Sequence, residues 1–115
     1  MPLPFPTSWD IVVRHGDMPT NEGTLIIQSV ANGQVKGTLN FRGTTYPISG
    51  TWYEQSNYLS FQSSFAMFDG TLSIYKDPLF IHYTLRGNYV STLSTYFPGN
   101  VGTWSATNAI YMGIR

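Results

Sequence analysis

Hydrophobic and polar residues alternate with period two along most of the chain. Between Gln34 and Arg42, Val35, Gly37, Leu39 and Phe41 fall on one face and Lys36, Thr38, Asn40 and Arg42 on the other. Tyr58 to Phe65 repeats the pattern, with Leu59, Phe61 and Phe65 against Ser60, Gln62 and Ser64. Leu79, Ile81, Tyr83 and Leu85 alternate with Phe80, His82, Thr84 and Arg86, and Trp9, Ile11 and Val13 do the same near the N-terminus. Such alternation marks strands with one buried face. No stretch shows helical spacing.

Turn residues punctuate these runs. Asn32-Gly33 between two strands is a strong hairpin signal, because both residues tolerate positive φ. Asp69-Gly70 and Lys76-Asp77-Pro78 read as further breaks, as do Arg42-Gly43 and Gln55-Ser56-Asn57. The strands predicted between them cover 8–14, 23–31, 34–42, 45–54, 58–66, 70–76, 79–87 and 103–112. Two loops are longer, Gly16 to Glu22 and Asn88 to Gly102. Short links pair each strand with the next, and a twisted meander of this size closes on itself and removes its edges. The expected fold is all-β: an eight-stranded antiparallel up-and-down barrel. It forms a single domain over 1–115, with 1–7 as an extended N-terminal arm.

Gly-Thr-Leu recurs at 23–25, 37–39 and 70–72, and Gly-Thr-Trp at 50–52 and 102–104. The irregular spacing excludes a solenoid. Glycine permits the sharp coiling of a small barrel, with Thr outward and Leu or Trp inward, so the repeat reads as barrel mechanics.

Composition narrows the function. Charged residues are only 10% of the chain, against a norm of about 25%, and the formal net charge is zero. A nucleic-acid partner is not expected, since no basic surface is available to displace counterions. Without cysteine there is neither a disulfide nor a thiolate metal site. No apolar run approaches the roughly 18 residues of a membrane span, so no membrane partner is expected. Met1 to Pro6 has no basic region followed by an apolar run and does not read as a signal peptide as it stands, which leaves the compartment open between cytoplasmic and secreted after processing. Polarity comes from Ser, Thr, Asn and Gln, and aromatic residues reach 16% with eight Tyr. That surface suits contacts to sugars or between subunits, and is also what good strand formers provide.

Three segments resemble the avidin and streptavidin family of eight-stranded barrels. Asn32-Gly-Gln-Val-Lys-Gly-Thr-Leu39 is similar to that family's second hairpin, Tyr46-Pro-Ile-Ser-Gly-Thr-Trp-Tyr53 to its fourth strand, and Trp104-Ser-Ala-Thr107 to the start of its last strand. The resemblance implies the fold. It does not imply biotin, which that family holds with polar side chains inside the barrel and tryptophans around the ring. Trp9 is followed by Asp10-Ile-Val-Val13 where the family places an Asn, strand three carries Leu39 and Phe41 in place of an inward Tyr, and strands five and seven lack tryptophan. No biotin-binding residue carries over. Lipocalin-like and bacterial protease-inhibitor barrels are comparable fold analogues, and fold does not dictate function.

No catalytic constellation is legible. His15 and His82 are the two histidines; with Asp10, Asp17 or Glu22 they make a metal set of no recognisable spacing, so neither a metal nor a cofactor is expected. There is no Gly-x-Ser-x-Gly elbow. Asp17 and Glu22 read as solvated loop residues, and Glu54 and Asp69 as turn residues.

By parity the interior holds Trp9, Ile11, Val13, Leu25, Ile27, Val35, Leu39, Phe41, Ile48, Trp52, Leu59, Phe61, Leu72, Ile74, Ile81, Leu85, Trp104 and Ile110. Tyr46, Ser63, Tyr83 and Asn108 are the further, polar inward candidates. This is either a packed core or an apolar pocket with a few orienting polar groups. The 88–102 loop adds Tyr89, Tyr96 and Phe97.

The sequence therefore reads as a non-enzymatic binding barrel for a small amphipathic molecule or a carbohydrate. The ligand is expected at an open barrel end and the 88–102 loop, on Tyr46, Trp52, Tyr83, Tyr96 and Trp104. The alternative is a protein-interaction or structural module, forming a homo-oligomer or docking its Pro-rich arm into a partner as an inhibitor does. A third reading is a small-barrel isomerase or cyclase.

Overall fold

The computed structural model describes residues 3–14, 20–91 and 101–112. Eight strands follow one another: β1 (Thr7–Arg14), β2 (Asn21–Ala31), β3 (Gln34–Phe41), β4 (Thr44–Tyr53), β5 (Tyr58–Gln62), β6 (Ala66–Lys76), β7 (Phe80–Ser91) and β8 (Val101–Tyr111). Each pairs antiparallel with the next, and β1 pairs with β8, so the sheet is a closed up-and-down barrel. At coarse level this is consistent with a calycin-like fold.

Asn32 and Gly33 have φ of 53° and 78°, and Arg42 and Gly43 have 54° and 81°, so both hairpins use turns of the left-handed kind that match strand twist. Glu54–Ser56 forms a single 3-10 turn that ends on Asn57 in the left-handed region.

Three boundaries differ from the sequence reading. Asp69-Gly70 is no break: β6 runs through it from Ala66 to Lys76. The break lies earlier, at Ser63–Phe65, where the Ser63 hydroxyl accepts the Phe65 and Ala66 N–H groups at 3.2 and 3.3 Å and takes both from the ladder. β7 continues to Ser91, which pairs with Ala66, so Asn88 to Ser91 are strand. Likewise Glu22 sits in β2 opposite Val12, not in a loop. His15, Asp17 and residues 92–100, with Tyr96 and Phe97, lie outside the described residues.

The repeated glycines face inward, and three of them, Gly23, Gly70 and Gly102, make space for a ring, while Gly50 makes space for the Phe61 backbone and Cβ. A Cβ on Gly23 would stand 2.7 Å from the Phe41 ring, one on Gly50 would meet Phe61, and one on Gly102 would meet Tyr89. One on Gly70 would stand 2.8 Å from Trp104. The threonine that follows each glycine points out and the next residue, Leu25, Leu39, Trp52, Leu72 or Trp104, is buried.

The barrel has two unlike ends. At the arm end lie the start of β1, the β2–β3, β4–β5 and β6–β7 turns, and the end of β8. At the opposite, aromatic end lie the β3–β4 and β5–β6 turns. β5 stops pairing with β6 at Thr71, and β1 stops pairing with β8 at Thr107. Beyond those points β6, β7 and β8 continue together past the arm end as a three-stranded tongue. This explains Ile110: its parity is inward, as read from the sequence, but it lies on the tongue and is 38% exposed.

Candidate functional site

Large rings close the aromatic end. Phe65 turns inward from the β5–β6 turn, with its centroid 4.8 Å from Tyr46, 6.2 Å from Phe41 and 6.3 Å from Phe68. Phe61 and Phe68 stack at 4.7 Å, and Trp104 stands edge-on to both at 5.5 and 5.8 Å. Edge and offset-stacked pairs are the favoured geometries of aromatic cores. The Trp104 indole N–H donates to the carbonyls of Asp69 and Asn88 at 2.9 and 3.1 Å.

The arm end is built otherwise. Tyr83 meets Trp9 edge-on at 6.2 Å. Trp9 Nε1 donates to the Thr7 hydroxyl and that hydroxyl donates to the Pro4 carbonyl, both at 2.8 Å. Leu3 is buried with this apolar cluster. Trp52, at the end of β4, is 5% exposed, and its indole N–H is buried with no hydrogen-bond partner. Asn57 Oδ1, in the next turn, and Asn108 Oδ1, on β8, are also buried without partners. Asn108 uses its Nδ2 to reach the Ser8 carbonyl at 2.8 Å, bridging the point where β1 leaves β8. A buried polar atom left unpaired costs roughly 1–3 kcal/mol, so atoms of this kind accept a water, an ion or a ligand group readily.

The sequence-predicted residues thus divide. Tyr46 and Trp104 belong to the aromatic end, and Trp52 and Tyr83 to the arm end, so the four described ones do not line one site. Asn108 stood among the polar inward positions and Asn57 did not, because its side chain comes from a turn that strand parity cannot place.

On the outer face of the tongue four rings run in a row. Tyr75 lies 5.7 Å from His82, His82 lies 5.9 Å from Phe80, and Phe80 lies 5.4 Å from Tyr111. His82 is outward, as its parity implied, and its Nε2 meets Asp77 Oδ2 at 2.7 Å. Asp77 Oδ1 accepts the N–H groups of Leu79 and Phe80 at 2.8 and 2.7 Å. The His82 hydrogen bond, then those two backbone donors, hold the Asp77 carboxyl below the usual carboxylate range. Beside the rings runs an open groove of about 510 Å³ between β1, β7 and β8, where Asp10 faces Thr84 and Thr107. Asp69, read from the sequence as a turn residue, is in mid-strand and accepts the Tyr58 hydroxyl; desolvation first, then this carboxylate, push the Tyr58 phenol up. Among the described residues no three His, Asp or Glu side chains come together as a metal site.

No protein-family model matches the chain, and neither a curated protein nor a solved structure matches it significantly. The class is therefore set by architecture alone: a closed eight-stranded antiparallel barrel, with nothing that ties it to avidin in particular.

Proposed function

We propose that the protein is a non-enzymatic binding barrel that takes a small amphipathic molecule at its arm end. The observation that carries this reading is that Trp52 Nε1, Asn57 Oδ1 and Asn108 Oδ1, each buried without a protein partner, all belong to strand ends or turns at the arm end, which is not closed by stacked rings. One donor and two acceptors in an apolar mouth suit a ligand with an apolar body and a head that both accepts and donates hydrogen bonds.

Titration with anilinonaphthalene sulfonate, an amphipathic fluorophore, tests the reading. Saturable binding that quenches tryptophan emission is expected. Trp52→Phe keeps an aromatic ring and removes the donor, and should weaken binding about tenfold, as loss of one charge-assisted hydrogen bond does. No saturable binding to the folded protein, or equal affinity for the Trp52→Phe variant, would overturn it.

A second reading is a homo-oligomeric interaction module. Met67, Val90 and Val101 lie side by side across β6, β7 and β8 on the outer face and are 52%, 51% and 68% exposed. An exposed apolar row of this kind favours association. If the ligand is a carbohydrate, the outer row of rings on the tongue is its natural stacking platform.

A further inference from the structure

We infer that the segment Leu3–Pro6 is a displaceable stopper in the mouth of the barrel, and that ligand and Leu3 compete for the same space. The inference rests on the binding reading above and names how that site is regulated.

Leu3 is 1% exposed, while Phe5, two residues on, is 49% exposed. The arm therefore sends one apolar side chain into the buried core and turns the next one out. Beyond the burial of Leu3, few polar ties hold the arm among the described residues. Pro4 and Pro6 have no N–H to donate to a neighbouring strand, so the arm cannot be zipped into the sheet at those positions. The ladder of β1 to β2 begins only at Thr7, and that of β1 to β8 only at Asp10. Between Ser8 and β8 the Asn108 side chain replaces a ladder bond. Besides the burial of Leu3, the described residues tie the arm through the relay from Trp9 through the Thr7 hydroxyl to the Pro4 carbonyl.

The arm also fits the mouth incompletely. It covers apolar surface but pairs none of Trp52 Nε1, Asn57 Oδ1 and Asn108 Oδ1. A ligand with a branched apolar group in the place of Leu3, and a polar head reaching those atoms, makes the apolar contact the arm makes and adds hydrogen bonds that the arm lacks. Ligand affinity is then lowered by the fraction of molecules in which the arm is seated, and weakening the arm returns it.

The chain has no cysteine, so a Leu3→Cys variant carries a single thiol whose reactivity reports where the arm is. In the folded protein that thiol should react with a disulfide reagent at least about tenfold more slowly than the thiol of Phe5→Cys, and saturating anilinonaphthalene sulfonate should remove the difference. In parallel, Leu3→Ala should bind the fluorophore up to about tenfold more tightly than the natural sequence, and Phe5→Ala should not. If the fluorophore binds but the thiol of Leu3→Cys stays protected, or if Leu3→Ala leaves its affinity unchanged, the stopper is wrong and the binding site stands. Equal reactivity of the Leu3→Cys and Phe5→Cys thiols without ligand also sinks the stopper. If no variant binds the fluorophore, the binding reading itself fails.

Discussion

Trp104 occupies the space that a side chain at Gly70 would need. The indole crosses β6 and β7, bonded to the carbonyls of Asp69 and Asn88, and a Cβ at Gly70 would stand 2.8 Å from Cζ2 and 2.7 Å from the Arg86 carbonyl oxygen. One neighbour is backbone and the other is locked by two hydrogen bonds, so neither yields easily. Gly70→Ala should cost about 3 kcal/mol, the upper part of the range for overpacking. Gly43→Ala is the control: nothing lies within 4 Å, and its φ of +81° alone sets a cost of about 1–2 kcal/mol. Urea denaturation of both variants should rank Gly70→Ala as the worse.

Phe65 shows a turn residue acting as core. It sits between β5 and β6, yet it is 2% exposed and touches rings from β3, β4 and β6. Phe65→Ala should lose about 3–5 kcal/mol, as for a phenylalanine in a packed interior. A loss under about 1 kcal/mol in the same denaturation experiment would mean that the aromatic end is not closed by this ring.

The barrel was legible because period two and paired turn residues act locally. Val35 to Phe41 declares its buried face without reference to any other strand, and Asn32-Gly33 declares its turn through backbone conformation alone. Asp69-Gly70 misled because the same dipeptide that makes turns also makes room, and only the distant Trp104 decides which. Ser63 misled in the opposite direction: its hydroxyl competes with the ladder, and the chain turns where hydrophobic alternation continues through Phe65. The site was harder still. Parity places Trp52 and Trp104 alike on the inner face but not at which end, and whether an indole N–H finds a carbonyl depends on strands far away in sequence.

Asp77 ties the β6–β7 turn to the tongue, and the tie is pH-dependent. Its carboxyl titrates below its ordinary value of 3.8 in the folded protein, because His82 and two backbone N–H groups favour the ionised form. A depressed folded value means that this contribution is fully present above pH 3.8 and is lost as pH falls through the folded value. Asp77→Asn keeps an acceptor for the backbone donors but not the titrating charge. Between about pH 5 and pH 2.5 the natural sequence should therefore lose more stability than Asp77→Asn does. Parallel slopes in urea midpoints would show that the pair contributes nothing.

The exposed row of Met67, Val90 and Val101 separates binding by a monomer from assembly. Cross-strand neighbours on one sheet face form a continuous patch, and lysine at two of the three positions breaks it without touching the core behind it. The double substitution Met67→Lys and Val90→Lys should leave folding stability within about 0.5 kcal/mol, as surface changes do. If the row is a contact between copies, sedimentation velocity should show an oligomer for the natural sequence and a monomer for the double variant, because two desolvated lysines facing their symmetry mates repel. If the natural sequence sediments as a monomer at the highest concentration reached, assembly through this row is excluded. If both sediment as the same oligomer, the contact lies elsewhere on the barrel.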